Sequence, residues 1–303
     1  TDYSRPTTMN DGFYDNILRR ARPVRAIVDP NGYLMADINY ISALRDGGRH
    51  KEQKDLLSQQ FRFTLTPLKN WNIVGEMNIK TDNNWTHWDQ LVTYAHYADN
   101  PENTYIPGTT SVTKDQVSEY ALKQTYLNPT LYSNYNFSLD DKHNFAVMAG
   151  FQAEMMKYRD MTAARKGLTT PELPVLDQTT DVTDYTMNGI YKNWKTAGFF
   201  GRINYDYLGK YLVEFNLRYD GSSRYRRENR WIWTPSFSLG WTVSNESFVK
   251  DNISRSAMSF LKLRASWGRN GNISVLSGYP YATTISVGNN HYQYDVDHAG
   301  SIF

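Results

Sequence analysis

The sequence predicts an all-β fold in which antiparallel strands form the wall of a transmembrane β-barrel. Three observations support this prediction. Apolar and aromatic residues recur with a period of two in segment after segment, which is typical of strands with one apolar face. Short turns alternate with long connections along the chain. The 23 Tyr and 8 Trp residues cluster toward the ends of the predicted strands, as in the interfacial girdles of membrane barrels.

Residues 1–57 are predicted to form an extended loop that enters the barrel wall, because turn signals punctuate them and no strand longer than 33–41 stands out. Residues 58–303 are predicted to form barrel hairpins. The alternation indicates eight strands, and a ninth is expected near 279–287. The eight segments are 58–66, 71–80, 122–139, 144–157, 196–207, 211–220, 231–243 and 261–268.

The two clearest alternations show which residues share a face. On one strand the apolar face carries Tyr211, Val213, Phe215, Leu217 and Tyr219. On the next it carries Trp231, Trp233, Pro235, Phe237, Leu239, Trp241 and Val243. Polar residues dominate the opposite face, which is therefore predicted to border a wet lumen. The charged residues of that face are expected to pair with each other or with a plug: Glu76, Glu154, Arg202, Glu214, Arg218 and Arg264.

Connections of two lengths complete the pattern. Short hairpin turns are predicted at 67–70, 140–143 and 208–210, where Gly, Asn, Asp or Pro residues occur. Long extracellular loops are predicted at 81–121, 158–195 and 221–230. Short turns at one end and long loops at the other are typical of an outer-membrane barrel. The alternative fold is a soluble β-sandwich with the aromatic residues in its core.

Composition excludes several classes of protein. The chain has 33 Lys and Arg against 31 Asp and Glu, so it offers no basic stripe and no nucleic-acid partner is expected. The absence of Cys excludes disulfides, Cys-ligated metals and a thiol nucleophile. The mean hydropathy is −0.64, and no apolar run approaches the roughly 20 residues of a spanning helix. Barrel strands remain compatible with this composition, because they alternate polar and apolar residues.

Four stretches resemble the SusC/RagA family of TonB-dependent outer-membrane transporters, and they occur in the family's order. They are YDYLGKYL (205–212), RYDGSSRY (218–225), WTPSFSLGW (233–241) and LKLRASWGRNGN (261–272). The resemblance implies a barrel of the 22-strand type that contains an N-terminal plug and is capped by a SusD-like surface lipoprotein. It implies import of oligosaccharides or peptides across the bacterial outer membrane, on energy relayed by TonB.

The resemblance extends over about positions 30 to 280, without a plug or a TonB-contacting segment. Eight or nine strands leave two open edges, which lipid does not tolerate. The chain is therefore expected to be an internal portion of a longer transporter. Its partners would be the rest of its own barrel and plug, outer-membrane lipid, the lipoprotein, and TonB through the missing plug segment. A self-contained small barrel, as an adhesin or enzyme, and a soluble carbohydrate-binding sandwich are the alternatives.

No catalytic or cofactor-binding spacing occurs in the sequence, so neither an enzymatic activity nor a cofactor is expected. On a strand, His291, Asp295 and Asp297 would share a face that could bind a metal. A solvated loop is the favoured interpretation of this segment, and no metal site is predicted.

Two groups of residues are candidates for binding. Trp85, Trp88, Tyr94 and Tyr105 are predicted to contact substrate, because aromatic faces stack on sugar rings and on apolar peptide side chains. The alternative is that they pack their own loop or a partner. Arg224, Arg226 and Arg227, in a basic loop that also contains Arg230, are predicted to contact lipid phosphates or acidic groups of a partner, because guanidinium binds such groups bidentately. The alternative is a solvated turn.

Overall fold

The computed structural model describes residues 2–7, 28, 30, 32, 40–96, 99–100, 102–105, 113–252, 259–271 and 279. Nine strands form one sheet, and they lie side by side in the order in which they occur along the chain. These strands are β1 Asp2–Pro6, β2 Arg49–Leu68, β3 Trp71–Gln90, β6 Gln116–Leu139, β7 His143–Lys166, β8 Tyr185–Tyr207, β9 Tyr211–Ser222, β10 Trp231–Trp241 and β11 Leu263–Gly268. The two short strands β4 (Ala95–His96) and β5 (Thr104–Tyr105) pair separately.

The remaining elements are small. Helix α1 (Tyr40–Asp46) precedes β2, and helix α2 (Ser247–Asn252) lies between β10 and β11. Three 3₁₀ helices cover Leu176–Gln178, Arg227–Asn229 and Val243–Asn245. Within the described part of the chain, no helix has both the length and the apolar character needed to cross a membrane.

The antiparallel all-β prediction is confirmed. The pairs β1–β2, β8–β9, β9–β10 and β10–β11 are antiparallel, and each of the eight predicted segments overlaps a strand of the sheet. The ninth strand of the sheet is β1, which pairs with β2 from Asp2↔Gln53 to Pro6↔Arg49. The expected strand at 279–287 lies outside the described residues, except for Tyr279.

The strands extend well beyond the apolar alternation, so the predicted bounds of the long loops are wrong. β3 runs ten residues past position 80, β7 ends at Lys166 and β8 begins at Tyr185. Residues 81–90, 116–121, 158–166 and 185–195 are therefore strand, as are the first two residues of 221–230. Main-chain hydrogen bonds hold a strand whatever its side chains are, whereas apolar alternation is needed only where one face meets an apolar environment.

The prediction of a loop over 1–57 is also wrong in part. Strand β1, helix α1 and the first nine residues of β2 all lie within this range. The expected strand at 33–41 lies mostly outside the described residues, and its last two positions begin α1 instead. Short elements of this kind give no sustained periodicity, because a seven-residue helix and a five-residue strand show too few repeats.

The three predicted hairpin turns are present between β2 and β3, β6 and β7, and β8 and β9. Each uses the left-handed backbone region, with φ of 65° at Asn70, 51° at Asp140 and 67° at Gly209. Asn, Asp and Gly are the residues that adopt this region most readily. In the last turn Leu208 also has a positive φ of 51°, and Gly209 N donates a 2.7 Å hydrogen bond to Asp206 Oδ1.

Contacts divide the chain into two units. One contains the described parts of Thr1–Gln59, Ile79–Tyr126 and Met156–Asn193, and the other contains those of Gln60–Asn78, Leu127–Met155 and Trp194–Phe303. In the first unit, β1, α1 and β4–β5 accompany segments of the long strands. The second unit carries the three hairpin turns and β9 to β11.

The sheet of the second unit has an exposed apolar face and a half-buried polar face. Tyr211, Val213 and Phe215 are 39–45% exposed, whereas Glu214 and Asn216 on the opposite face are half-buried. The buried hydrophobic residues of the described chain are few and mostly small: Ala43, Val74, Ala95, Val117, Ala164 and Val249. A β-sandwich would bury its aromatic face, so the sandwich alternative is wrong.

A polar cluster fastens the β10–β11 connection to the β8–β9 turn. Thr242 N donates a 2.7 Å hydrogen bond to Lys210 O, and Lys210 Nζ lies 2.9 Å from Glu246 Oε2. Trp241 Nε1 donates to Glu246 Oε1 at 3.1 Å. Hydrogen bonds from Tyr211, Lys210 and Trp241 lower the pKa of the Glu246 carboxyl to about 2. Glu246 is therefore ionised at neutral pH and holds the end of the sheet together.

Candidate functional site

A pocket of about 300 Å³ lies on the polar face of the second unit. Strands β7, β8 and β9 and the loop after β9 line it with Gln152, Glu154, Trp194, Thr196, Ala197, Gly198, Arg218, Asp220 and Arg224. The β8–β9 register pairs Gly198 with Asp220 and Phe200 with Arg218, which brings positions far apart in sequence side by side. Alternation along the strands then places the polar side chains of these positions on one face.

The aromatic wall of the pocket is Trp194, and a cation covers it. The Arg224 guanidinium lies 5.0 Å from the centre of the Trp194 ring, within the range of a cation–π interaction. Arg224 N also donates a 3.3 Å hydrogen bond to Ser222 Oγ, which fixes the start of the loop. Arg224 therefore belongs to the polar pocket.

A carboxylate–guanidinium pair forms the floor of the pocket. Arg218 donates to both carboxylate oxygens of Asp220, at 3.0 and 2.9 Å, and its guanidinium lies 5.4 Å from the centre of the Phe200 ring. The partner of Arg218 is therefore Asp220, which was not among the charged residues expected to pair with it. A side chain at position 198 would collide with the Asp220 carboxylate, so this arrangement requires Gly198.

The charges around the pocket balance. Glu154 and Asp220 contribute two negative charges, and Arg218 and Arg224 contribute two positive charges. Glu154 Oε2 also accepts a 3.3 Å hydrogen bond from Thr196 Oγ1. An aromatic face beside balanced, oriented polar groups suits a neutral or dipolar ligand with many hydrogen-bonding groups.

The structure separates two of the predicted substrate residues, Trp85 and Trp88. Trp85 is 55% exposed and Tyr94 is 56% exposed. Trp85 and Trp88 lie three residues apart on β3, which places them on opposite faces of the strand. For Tyr105 only the main chain is described, paired with Ala95. The four residues remain candidates for binding.

The three predicted arginines likewise do not form one patch. Arg226 and Arg227 are exposed at the 3₁₀ turn Arg227–Asn229, whereas Arg224 packs on Trp194. Arg230, which belongs to the same basic loop, has its Nε buried without an acceptor among the described residues. The loop therefore presents cations to two different environments.

A second polar cluster lies in the first unit, around His87. Its Nδ1 lies 2.6 Å from Glu119 Oε1, and its Nε2 lies 3.3 Å from the buried Asp89 Oδ1. Asp89 Oδ2 in turn accepts a 3.0 Å hydrogen bond from Arg49 N. Glu119 Oε2 is buried without a partner among the described residues.

Both carboxylates favour the protonated imidazole. The hydrogen bond to Asp89, with that to Glu119, raises the pKa of His87 against the opposing effect of burial. His87 is the seventeenth residue of β3, and about ten residues suffice for a barrel strand to cross a membrane. The spacing of His87 and Asp89 on one strand face could have indicated their contact, whereas Glu119 is 32 residues away.

Within the described ranges, no group of three or more His, Asp or Glu residues is arranged to hold a metal ion. The residues His291, Asp295 and Asp297 lie outside those ranges.

Comparison with known proteins decides the family. Residues 2–295 match the family model described as "TonB dependent receptor-like, beta-barrel". The chain belongs to this family. The TonB-dependent receptor SusC of Bacteroides thetaiotaomicron is 42% identical over 98 residues, which are 32% of this chain and 10% of SusC. The TonB-dependent receptor P39 of Formosa agariphila is 33% identical over 146 residues, which are 46% of this chain and 13% of that receptor.

Solved structures agree on the fold. A structure of the RagAB peptide transporter superimposes with a TM-score of 0.68 and 21% identity, covering 84% of this chain and 26% of that one. A structure of the RagAB peptide importer in the open-open state gives the same TM-score at 22% identity and the same coverage. The resemblance to SusC/RagA proteins is therefore confirmed, and this chain spans between a tenth and about a quarter of these relatives.

The barrel family accounts for the two faces of the sheet. In a membrane barrel the outward side chains meet lipid and the inward ones meet the lumen. The exposed side chains of Tyr211, Val213 and Phe215 therefore belong to the lipid face. The pocket around Trp194 lies on the opposite face, which borders the lumen.

Proposed function

We propose that this chain is part of the wall of a TonB-dependent importer in the bacterial outer membrane. The importer takes up oligosaccharides or peptides and works with a SusD-like surface lipoprotein. TonB acts on it through a plug segment of the longer protein. This proposal extends the family assignment, since the chain matches only part of each relative.

The observation that carries the proposal is a sheet with a lipid face and a lumen face, in which the length of β10 fits a bilayer. β10 has 11 residues, from Trp231 to Trp241, and both terminal indoles are exposed. Barrel strands of about 9–11 tilted residues cross the hydrocarbon core. Tyr219 stacks on Trp233 with ring centres 4.2 Å apart near one end, and Tyr211 pairs in register with Trp241 at the other. These aromatics match the two interfacial girdles.

We infer that the lumen-face pocket contacts the transported molecule. The Trp194 ring and the Arg224 guanidinium stacked on it offer a planar surface with hydrogen-bond donors, and Glu154 offers an acceptor within the same pocket. Sugar rings and peptide side chains both fit this chemistry. Among the relatives, the RagAB proteins are described as a peptide transporter, which supports peptides as one of the two classes.

Uptake by the full-length protein in its host tests the import proposal. Cells would receive fluorescently labelled maltooligosaccharides or labelled tryptic peptides of casein. We expect one of the two mixtures to accumulate in the periplasm and a protonophore to abolish the accumulation, since TonB needs the proton gradient. Entry of neither mixture above the level of a gene deletion would contradict the proposal.

Substitutions then locate the contact. Trp194→Ala removes the stacking surface and should lower uptake about fivefold, from a loss of about 1 kcal/mol. Trp267→Ala is the matched control, because Trp267 lies on the lipid face and is 56% exposed. Lower uptake in Trp85→Ala with normal uptake in Trp194→Ala would show that the exposed surface at Trp85 binds substrate and that the pocket does not.

A further inference from the structure

The lipid face of the second unit carries a groove of about 490 Å³, which shares Glu154, Thr196 and Ala197 with the lumen pocket but lacks its aromatic wall. Its apolar lining comes mainly from Met77, Leu127, Pro129, Ala153, Met155 and Trp231. Met77 and Trp231 are 37% and 40% exposed, so the groove opens on the outer surface of the wall.

The pairing register of β8, β9 and β10 indicates the depth of the groove in the membrane. Trp231 pairs with Gly221, and Gly221 pairs with Ala197, so one row of residues forms this part of the groove. Trp231 and Trp241 are separated by the length of a membrane-crossing strand. The row at Trp231 therefore lies at an interface, where acyl chains meet headgroups.

Two cations, Lys195 and Arg230, line the groove. Hydrogen bonds hold the main chain of both residues. Lys195 N donates to Ser223 Oγ at 2.9 Å, Ser223 N donates to Lys195 O at 2.9 Å, and Ser222 N donates to Arg230 O at 3.2 Å. The bases of both side chains are thus fixed at the groove.

One donor of the Arg230 guanidinium, Nε, is buried and lacks an acceptor among the described residues. A buried charged donor without a partner is costly, so an anionic oxygen in the groove would satisfy it. Glu154 also borders the groove, but its Oε2 accepts the hydrogen bond from Thr196.

We propose that this groove binds a phosphate-bearing lipid of the outer membrane. One acyl chain lies along Met77, Ala153 and Met155, and the phosphate lies against Arg230 and Lys195. Arg is suited to this contact, because its planar donors match phosphate oxygens bidentately. The apolar lining together with two cations at an interfacial level favours a lipid headgroup as the source of the phosphate.

Native mass spectrometry of the full-length protein in detergent tests the proposal. After delipidation, the protein would be titrated with dioleoyl phosphatidylglycerol. We expect Arg230→Gln to weaken one phosphatidylglycerol adduct about tenfold, because a charge-assisted hydrogen bond is lost. Arg202→Gln is the matched control, since Arg202 is exposed on the polar face and lies outside the groove lining.

A second variant keeps the result interpretable if Arg230→Gln fails to fold. Ala153→Phe fills the apolar part of the groove and leaves both cations in place, so it should remove the same adduct. Equal phosphatidylglycerol binding by wild type, Arg230→Gln and Ala153→Phe would overturn the proposal. Displacement of the lipid by inorganic phosphate at equal concentration, with no effect of Ala153→Phe, would also overturn it and indicate an anion site instead.

The lipid proposal and the import proposal fail separately. Adducts are counted on purified protein without any transport, so loss of uptake in cells does not affect the lipid result. A normal uptake rate in Arg230→Gln cells, with a weakened adduct, would support both proposals.

Discussion

The close approach of Gly221 to Trp231 provides a quantitative test of the lipid-face packing. The indole of Trp231 lies flat against Gly221 across the β9–β10 pair. A Cβ at position 221 would lie 2.6 Å from Trp231 Cδ2, 2.7 Å from Cε3 and 2.8 Å from Cε2. Ordinary contacts begin at 3.4 Å, so the ring has to move by about 0.8 Å (3.4 − 2.6) in Gly221→Ala.

The free-energy cost of this displacement can be bounded. Tyr219 stacks against Trp231 with ring centres 4.9 Å apart, so the indole cannot shift without changing this pair. Overpacking of a well-packed site costs about 1–3 kcal/mol. At about 1.4 kcal/mol for each factor of ten, this cost corresponds to amide exchange about 5- to 150-fold faster in the neighbouring strands.

Hydrogen–deuterium exchange of the full-length protein in detergent measures this effect. The informative peptides cover Thr196 to Phe199 and Tyr219 to Ser222, which pair in the sheet. Gly75→Ala is the matched control, because its new Cβ would meet only Leu131 Cδ1, at 3.9 Å. Unchanged exchange in Gly221→Ala, or an equal acceleration in Gly75→Ala around its own site, would refute the reasoning.

Three further outcomes are expected. The carboxylate partners of His87 raise its pKa, so the stabilisation by His87 is present below about pH 6.5 and is lost as pH rises through the raised pKa. The difference in thermal unfolding midpoint between wild type and His87→Gln should therefore shrink from pH 6 to 9. The pKa of Glu246, about 2, has the opposite consequence: the stabilisation by Glu246 is present above about pH 4.5 and is lost toward pH 2. Between pH 4.5 and 2, wild type should lose its heat resistance on gel electrophoresis more steeply than Glu246→Gln. Asn128 is buried and donates a 3.0 Å hydrogen bond to Ala153 O. Asn128→Leu should therefore lower the free energy of unfolding by about 1–3 kcal/mol, measured as a lower midpoint of urea unfolding. An unchanged midpoint would show that the Ala153 carbonyl finds another donor.

The alternation of side chains was sufficient to predict the strands near the lipid. Tyr211, Val213 and Phe215 were placed on one face by their spacing, and all three are exposed on that face. The tight turns were also predictable, since Asn70, Asp140 and Gly209 occupy the left-handed positions that such turns need. Both signals are local, because they depend on neighbours within a few residues.

The far ends of the strands gave no such signal. β3 continues through residues 81–90, yet these residues follow no apolar alternation, because hydrogen bonds to the neighbouring strand are enough to hold them. For the same reason Trp85 and Trp88 were assigned to a loop, although both lie on β3. Their assignment to opposite faces follows only once the strand is known.

The candidate site depended on register. Trp194 and Arg224 are 30 residues apart, and the contact between them exists because β8 and β9 pair with Thr196 opposite Ser222. His87 and Glu119 meet in the same way across different strands. A shift of one residue in either register would send these side chains to the other face and abolish both clusters.

The sequence by itself determined that this chain forms antiparallel strands with one apolar and one polar face, because apolar and polar residues alternate along the strands near the membrane. It also indicated the family, through four stretches in a fixed order. Only the tertiary structure decided which polar residues share a pocket, that Arg224 lies on the lumen face and that Arg230 lies on the lipid face. These placements follow from hydrogen-bonded register between strands, which side-chain spacing within a single strand does not encode.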